Sequence, residues 1–309
     1  MSGVVLDGKR IQQEILEELR PRIAALTARG RTPGLAVVLV GDDPASKIYV
    51  RSKIKACQEL GIRSIEITPP ADISTQDLIQ QILPLTNDDS VHGILIQMPL
   101  PKHIDVDAVT ACVDESRDVD GFGAYALGRL VLNKPAPRAC TPAGILEMLK
   151  RYRIPVSGKK AVIVGRSDIV GKPMALLLLH ENATVTMCHS RTQNLAAECR
   201  EADILVAAIG KPALITAEYI KDGAVIVDVG MNRISDTTEM RRLFAHDPAR
   251  LESFAKNGSA LVGDVEPLAM RERSSAYTPV PGGVGPLTIA MLMSNTVGLA
   301  EGSIWQRAA

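Results

Sequence analysis

Apolar residues recur along this chain with two periods, and the alternation between them sets its organisation. Ile11, Ile15, Leu19, Ile23 and Leu26 fall three or four apart, which predicts an amphipathic helix over 9–29 with Gly30 as its stop. Residues 34–40 are apolar and β-branched, the pattern of a buried strand. Gly41-Asp42-Asp43-Pro44 then supplies an acidic cap and a proline for the first turn of a helix that ends near Gly61. A second strand is expected over 63–68. Ser74-Thr-Gln-Asp77 opens a helix in capping-box style, and a third strand covers 91–96. That strand runs into Gln97-Met-Pro-Leu-Pro101, whose prolines forbid further sheet pairing, and a helical segment follows over 105–112. The succession β-α-β-α-β implies parallel strands with right-handed crossovers.

A proline-rich stretch over 133–142 reads as a linker, with Thr141-Pro142 capping a helix that reaches Arg151. A new unit begins with strand 161–164, a glycine turn from Gly165 to Pro173 and an apolar helix through Leu179. Strands are expected again at 183–187, 202–209 and 224–229. The last two are followed by Gly210 and Gly230, where a bare backbone could approach a ligand closely. Residues 235–258 are charged and irregular, as in a surface excursion with one short helix, and 260–264 is a further short strand. Three prolines and three glycines crowd 278–286, after which an apolar helix carries the C-terminus back to the first domain. The expected fold is α/β in two domains. An N-terminal α/β substrate domain spans 1–138 and is completed by 285–309; a Rossmann-like, doubly wound parallel-sheet cofactor domain spans 139–284. The site is expected between them.

Composition agrees with two domains rather than one, at 309 residues with 46% hydrophobic and 23% charged. Thirty-five basic and thirty-five acidic residues cancel, so no overall charge draws the chain to nucleic acid or to an anionic membrane. The N-terminus lacks the apolar core of a signal peptide, and no run reaches the roughly 18 apolar residues of a membrane helix. Five cysteines, odd in number and without a C-x-x-C pair, read as reduced thiols of a cytoplasmic protein. With the histidines equally scattered, no metal site is expected.

Candidate chemistry gathers at the carboxyl ends of strands, where open α/β sheets bind ligands. Tyr49 and Lys53, four apart, share one face of the helix after the first strand. They could stack a flat substrate and move a proton, or be a half-exposed tyrosine beside a solvated lysine. Gln97 ends the third strand, and Asp118 and Asp120 could bind the N–H edge of a heterocycle or simply be solvated turn residues. The loop from Gly165 to Pro173 fits neither the Walker A pattern, nor the nucleophile elbow, nor the dinucleotide fingerprint. It keeps the physics of an anion-binding helix start. After strand 183–187 an NAD site would place a carboxylate, whereas here the chain reads Cys188-His-Ser190-Arg191-Thr192. Hydroxyls and a guanidinium suit a 2′-phosphate, so NADP is expected over NAD.

Taken together, 40–53, 93–101, 118–122, 165–173, 189–192, 228–233 and 278–286 resemble, in order and over essentially the whole chain, the bifunctional methylenetetrahydrofolate dehydrogenase/methenyltetrahydrofolate cyclohydrolase family. The resemblance implies oxidation of 5,10-methylenetetrahydrofolate by NADP, then hydrolysis of the methenyl cation to 10-formyltetrahydrofolate, in a homodimer serving purine biosynthesis. It implies Lys53 as general acid/base, Tyr49 stacked on the aminobenzoate ring, Gln97 beside the lysine and Asp120 on the pterin. Gly165, Arg166, Ser167, Ser190, Arg191 and Met231 fall at cofactor positions, and Pro281, Gly282 and Gly283 line the folate side. Two stretches depart from the family pattern: Gly123-Ala-Tyr-Ala126 replaces His-Pro-x-Asn, and Glu266-Pro267 replaces an acidic-aromatic pair. Tyr-x-x-x-Lys also occurs in short-chain dehydrogenases, but there the nucleotide loop precedes the pair and here it follows. A monofunctional dehydrogenase and a non-catalytic folate- or nucleotide-binding paralogue remain as alternatives.

Overall fold

A computed structural model describes Gly3–Gln306, with backbone alone for Ala45. The first half of the chain runs β1 (Val4–Val5), α1 (Gly8–Ala28), β2 (Gly34–Val38), α2 (Pro44–Leu60), β3 (Arg63–Ile67), α3 (Thr75–Thr86), β4 (Gly93–Ile96), α4 (Val106–Ala111) and α5 (Ala124–Val131). It continues with α6 (Cys140–Arg151), β5 (Lys160–Val164), α7 (Gly171–His180), β6 (Thr184–Cys188), α8 (Leu195–Arg200), β7 (Ile204–Ala207) and β8 (Val225–Asp228). The remainder is β9 (Asn232–Ile234), α9 (Thr237–Phe244), α10 (Pro248–Asn257), β10 (Ala260–Val262), α11 (Pro267–Arg273), β11 (Ala276–Tyr277) and α12 (Val284–Glu301).

The chain divides into two compact units. The first, here called the catalytic unit, is Gln12–Cys140 with the residues from Ile289 onward. Its parallel sheet has the order β3-β2-β4. β2 and β4 are buried along their whole length, so their sequences are unbroken apolar runs. Local chemistry sets the helix ends. The Asp43 carboxylate caps Ser46 N at 2.7 Å with Pro44 in the first turn, and Gly61 closes α2 at φ 74°. Ser74 caps α3 through Asp77 N, and its own hydroxyl donates to the Asp77 carboxylate. Ala36, Val38, Ile94 and Ile96 pack on Leu78 and Ile82 of α3 to form the core on that side.

The second, here called the cofactor unit, is the N-terminal residues through Ile11 together with Thr141–Thr288. Its six strands are all parallel, in the order β1-β11-β8-β7-β5-β6. The N-terminal residues depart from the expected 1–138 boundary because Val4 and Val5 pair with Ala276 and Tyr277, which commits them to this sheet. Residues 1–2 and 307–309 of the expected first domain lie outside the described residues. The span 235–258 also differs from expectation. It forms two helices, and Met240, Leu243, Phe244 and Phe254 bury a satellite core with Ile234 and Val262 of the antiparallel pair β9–β10. Beside the second departure from the family pattern, Pro267 takes the first turn of α11 and the Glu266 carboxylate meets Arg242 at 3.3 Å.

Candidate active site

In the catalytic unit, α2 begins at the carboxyl end of β2 and presents Lys53, which is only 9% exposed. Its ammonium donates to Gln97 Oε1 at 2.9 Å. The Gln97 amide nitrogen donates in turn to Met98 O at 2.7 Å, which settles the orientation of the carboxamide and leaves its oxygen for the lysine. Gln97 follows β4 directly, so two adjacent parallel strands bring the pair together although 44 residues separate them. Tyr49 lies one turn earlier on α2 and is 40% exposed.

The two aspartates that follow play different parts. Asp118 is buried, and its carboxylate accepts from the amides of Gly121 at 2.9 Å, Phe122 at 3.4 Å and Gly123 at 2.8 Å. Burial pushes its pKa above the ordinary carboxylate range, and those amides pull it part of the way back. Asp120 accepts no side-chain hydrogen bond among the described residues. Part of the residue is exposed, yet burial of its carboxyl drives the pKa up to about 7, against the pull of the nearby Lys53 ammonium and with a further push from Asp118. Asp118 and Asp120 line a small cavity of about 20 Å³ with Ile94, Ile96 and Met98. Lys53, Gln97 and Asp120 are therefore gathered into one site, and Asp118 is its scaffold.

Two residues of this site carried no expectation from sequence. The Asn295 amide on α12 donates to Val119 O at 2.9 Å and Arg138 O at 3.0 Å, and reaches the Cys140 sulfur at 3.6 Å. The polar run Ser294-Asn295-Thr296 inside an otherwise apolar helix was the available signal, and the structure leaves Asn295 only 5% exposed. The buried Cys140 thiol is raised well above its usual pKa, by burial first and then by the charge of Asp120. The altered segment beside the site starts α5: Gly123 is the N-cap residue with extended backbone and no side-chain cap.

In the cofactor unit, the turn between β5 and α7 is closed around glycine. Gly165 sits at φ 132°, and a Cβ there would collide with Ala208 O; one on Gly171 would collide with Gly165 O. Ser167 Oγ accepts from Val170 N at 3.2 Å and Gly171 N at 3.3 Å, so this helix start is capped by its own serine and those two amides are not open to an anion. The exposed side chains of Arg166 and Ser167, with Ser190 and Arg191 after β6, supply cations and hydroxyls instead. The residue that ends β6 is the buried Cys188, not a carboxylate. This cradle and donor set fit a dinucleotide carrying a 2′-phosphate. Met231, 41% exposed, follows Gly230. Gly230 has a reason other than ligand approach: a Cβ there would fall on the Asp264 carboxylate. Pro281, Gly282 and Gly283 belong to this unit, where Gly8 N donates to Gly282 O at 3.0 Å. Among the described residues no group of acidic, His or Cys side chains could hold a metal ion, and no helix is long and apolar enough to cross a membrane.

Comparison with known proteins bears on both units. Residues 6–120 match the model of the tetrahydrofolate dehydrogenase/cyclohydrolase catalytic domain, and 139–304 match the NAD(P)-binding domain of the same family. The chain is 58% identical to the bifunctional protein FolD of Solibacter usitatus, over 96% of this chain and 97% of that one. It is 54% identical to the protein of the same name from Koribacter versatilis, over 97% and 98%. Among solved structures it is similar to the bifunctional enzyme FolD of Campylobacter jejuni, at 42% identity and TM-score 0.88, covering 98% of this chain and all of that one. It is equally similar in fold, TM-score 0.88, to the Trypanosoma brucei methylenetetrahydrofolate dehydrogenase-cyclohydrolase complexed with NADP and inhibitor, at 35% identity over 99% of this chain. With both domains matched and full-length relatives above half identity, the chain belongs to the tetrahydrofolate dehydrogenase/cyclohydrolase family.

Proposed function

We propose that Lys53 moves the protons of the hydrolytic step, with Gln97 and Asp120 setting its position and charge. The enzyme is a bifunctional, NADP-using methylenetetrahydrofolate dehydrogenase and methenyltetrahydrofolate cyclohydrolase. NADP supplies the hydride acceptor when bound. The carbon that loses hydride is already flanked by two nitrogens that stabilise the cation, so the protein's task in oxidation is to orient the folate. Hydrolysis makes a different demand. Water adds to the methenyl carbon and loses a proton, one carbon–nitrogen bond breaks, and the departing nitrogen gains a proton. Lys53 is the group we assign to both transfers, Tyr49 stacks on the aminobenzoate ring and the Asp120 carboxylate accepts from the pterin edge. Gly165, Arg166, Ser167, Ser190, Arg191 and Met231 are assigned to NADP, and Pro281, Gly282 and Gly283 to the folate side. We further place the enzyme in the cytoplasm as a homodimer supplying formyl groups to purine biosynthesis. Its five free cysteines agree with that compartment.

The observation that carries this reading is the 2.9 Å bond from a buried lysine to a carboxamide whose other end is fixed by Met98 O. A non-catalytic binder has no need of that arrangement. The test follows NADP reduction and methenyltetrahydrofolate hydrolysis separately in wild type and Lys53→Met. Hydrolysis is expected to fall roughly 10²–10⁴-fold, the usual contribution of acid–base catalysis, with a smaller loss of hydride transfer. Equal losses would make Lys53 a binding residue, and no reduction of NADP or NAD by wild type would remove the dehydrogenase reading.

A further inference from the structure

The cofactor unit contains a second pair of aspartates, buried to within 1% of full enclosure, that the chemistry above does not use. Asp264 Oδ2 accepts from Ile209 N at 2.5 Å and Gly210 N at 2.9 Å. Its Oδ1 accepts from Lys211 N and from the Asn232 side-chain amide, both at 2.9 Å. Asp228 accepts from Gly230 N, Asp264 N and Val265 N, all at 2.9 Å. Two carboxylates thus hold six backbone amides and one carboxamide while exposing 1% and 0% of their surface. The close approach demands glycine at 230 and 263, since a Cβ at either would enter the carboxylate of Asp264 or Asp228.

The location gives this cage its meaning. The chain passes from β5 to β6 on one side and then returns to β7 on the other, so the direction of winding reverses between β5 and β7. Dinucleotides bind at such a reversal, in the crevice beyond the strand ends. The Gly165 turn is one wall there, packed against Ala208 O; the other wall is the segment after Ala208, which is the 209–211 segment that Asp264 holds. A loop pinned by three amides to one buried carboxylate needs no ordering when a ligand arrives, and that ordering cost would otherwise come out of affinity.

We propose that Asp264 is a positioning residue for NADP: it preforms the crevice wall at 209–211 through backbone amides alone. The inference rests on NADP use by this unit. In Asp264→Asn one carboxylate oxygen becomes an NH₂ group facing backbone N–H donors, whichever way the amide turns. Calorimetric titration with NADP is expected to show a Kd raised at least tenfold. The KM for NADP should rise in parallel, while kcat and cofactor-free hydrolysis of methenyltetrahydrofolate stay within about threefold of wild type. A Kd within twofold of wild type, in protein that still hydrolyses, would overturn the proposal. If Asp264→Asn loses hydrolysis too, Asn232→Ala decides, since it removes one donor from the same carboxylate: a threefold weaker Kd sustains the proposal and an unchanged Kd overturns it. Wild type that fails to bind NADP would refute the cofactor assignment itself, a result separate from either variant's.

Discussion

The catalytic unit and the cofactor unit each carry a pair of aspartates whose carboxyl groups are withdrawn from water, and they put them to opposite uses. In the first, Asp118 is occupied by the amides of Gly121, Phe122 and Gly123, whereas the Asp120 carboxyl accepts no hydrogen bond among the described residues and lies within the field of Lys53. In the second, Asp228 and Asp264 are both occupied by backbone, and neither offers an oxygen to a reactant. Burial raises Asp120 and Asp228 alike to about 7, so pKa alone would rank them as equals. What separates a reacting carboxyl from an architectural one is the accounting of its acceptors. A buried carboxylate surrounded by amides is scaffold, and one left with a lysine is chemistry.

The comparison breaks most sharply at the glycines. A Cβ at 263 would enter the Asp228 carboxylate, which backbone amides hold in place, whereas one at 123 would come no nearer than 2.9 Å to Asp118 Oδ2. Gly263→Ala is expected to cost about 3 kcal/mol or more in stability, the upper part of the overpacking range, and to weaken NADP binding. Gly123→Ala, whose Cβ would press on Asp118 Oδ2 less severely, should cost about 1 kcal/mol, the lower end of that range. Thermal melts of both check this, and equal losses would mean that the two cages are equally tolerant. Next in size, Asp118→Asn turns an acceptor into a donor against buried amides, at about 1–3 kcal/mol. Its effect should fall on the KM for folate more than on that for NADP, and steady-state kinetics with each substrate varied would show the reverse if Asp118 served only the fold.

The smallest effect is the most diagnostic. Asp120 is protonated below about 7 and ionised above it, and we assign the pterin contact to the ionised form. The kcat/KM for hydrolysis should therefore rise between pH 6 and 8 in wild type and flatten over that interval in Asp120→Asn. Stability runs the other way for Asp228. Its native pKa lies above the unfolded value near 3.9, so its contribution is complete below pH 4 and is lost as the pH rises through about 7. Asp228→Asn should melt with a weaker pH dependence over that interval, and an unchanged dependence would assign the titration elsewhere.

Much of the fold was legible because buried parallel strands are uninterrupted apolar runs, as in 34–38, 93–96 and 204–207. The strands β1 and β11 were not, since two residues each carry no period at all. In 237–244 the high charge obscured Met240, Leu243 and Phe244, whose helical spacing was present. Gln97 could be singled out by its place at a strand end, Lys53 by its helix face and Asp120 by its paired aspartates and the family resemblance, and the structure gathers them. The clamp at Asp118 was readable in principle, because its partners lie three to five residues ahead. The cage of Asp264 was not, because its loop partners lie 53 to 55 residues away and contribute only main chain, which has no signature in composition or spacing.

The manner in which α12 is shared between the two units has a consequence for synthesis. Its residues through Thr288 belong to the cofactor unit, and those from Ile289 complete the catalytic unit, where Asn295 ties Val119 O to Arg138 O. A ribosome makes that asparagine long after Lys53, Gln97 and Asp120 have emerged. Domains ordinarily mature from the N-terminus as they are translated. Here the part that emerges first must wait for α12, so a nascent chain carries Lys53, Gln97 and Asp120 before it carries the tie that joins Val119, next to Asp120, to Arg138. Synthesis of α12 is the event that completes the site.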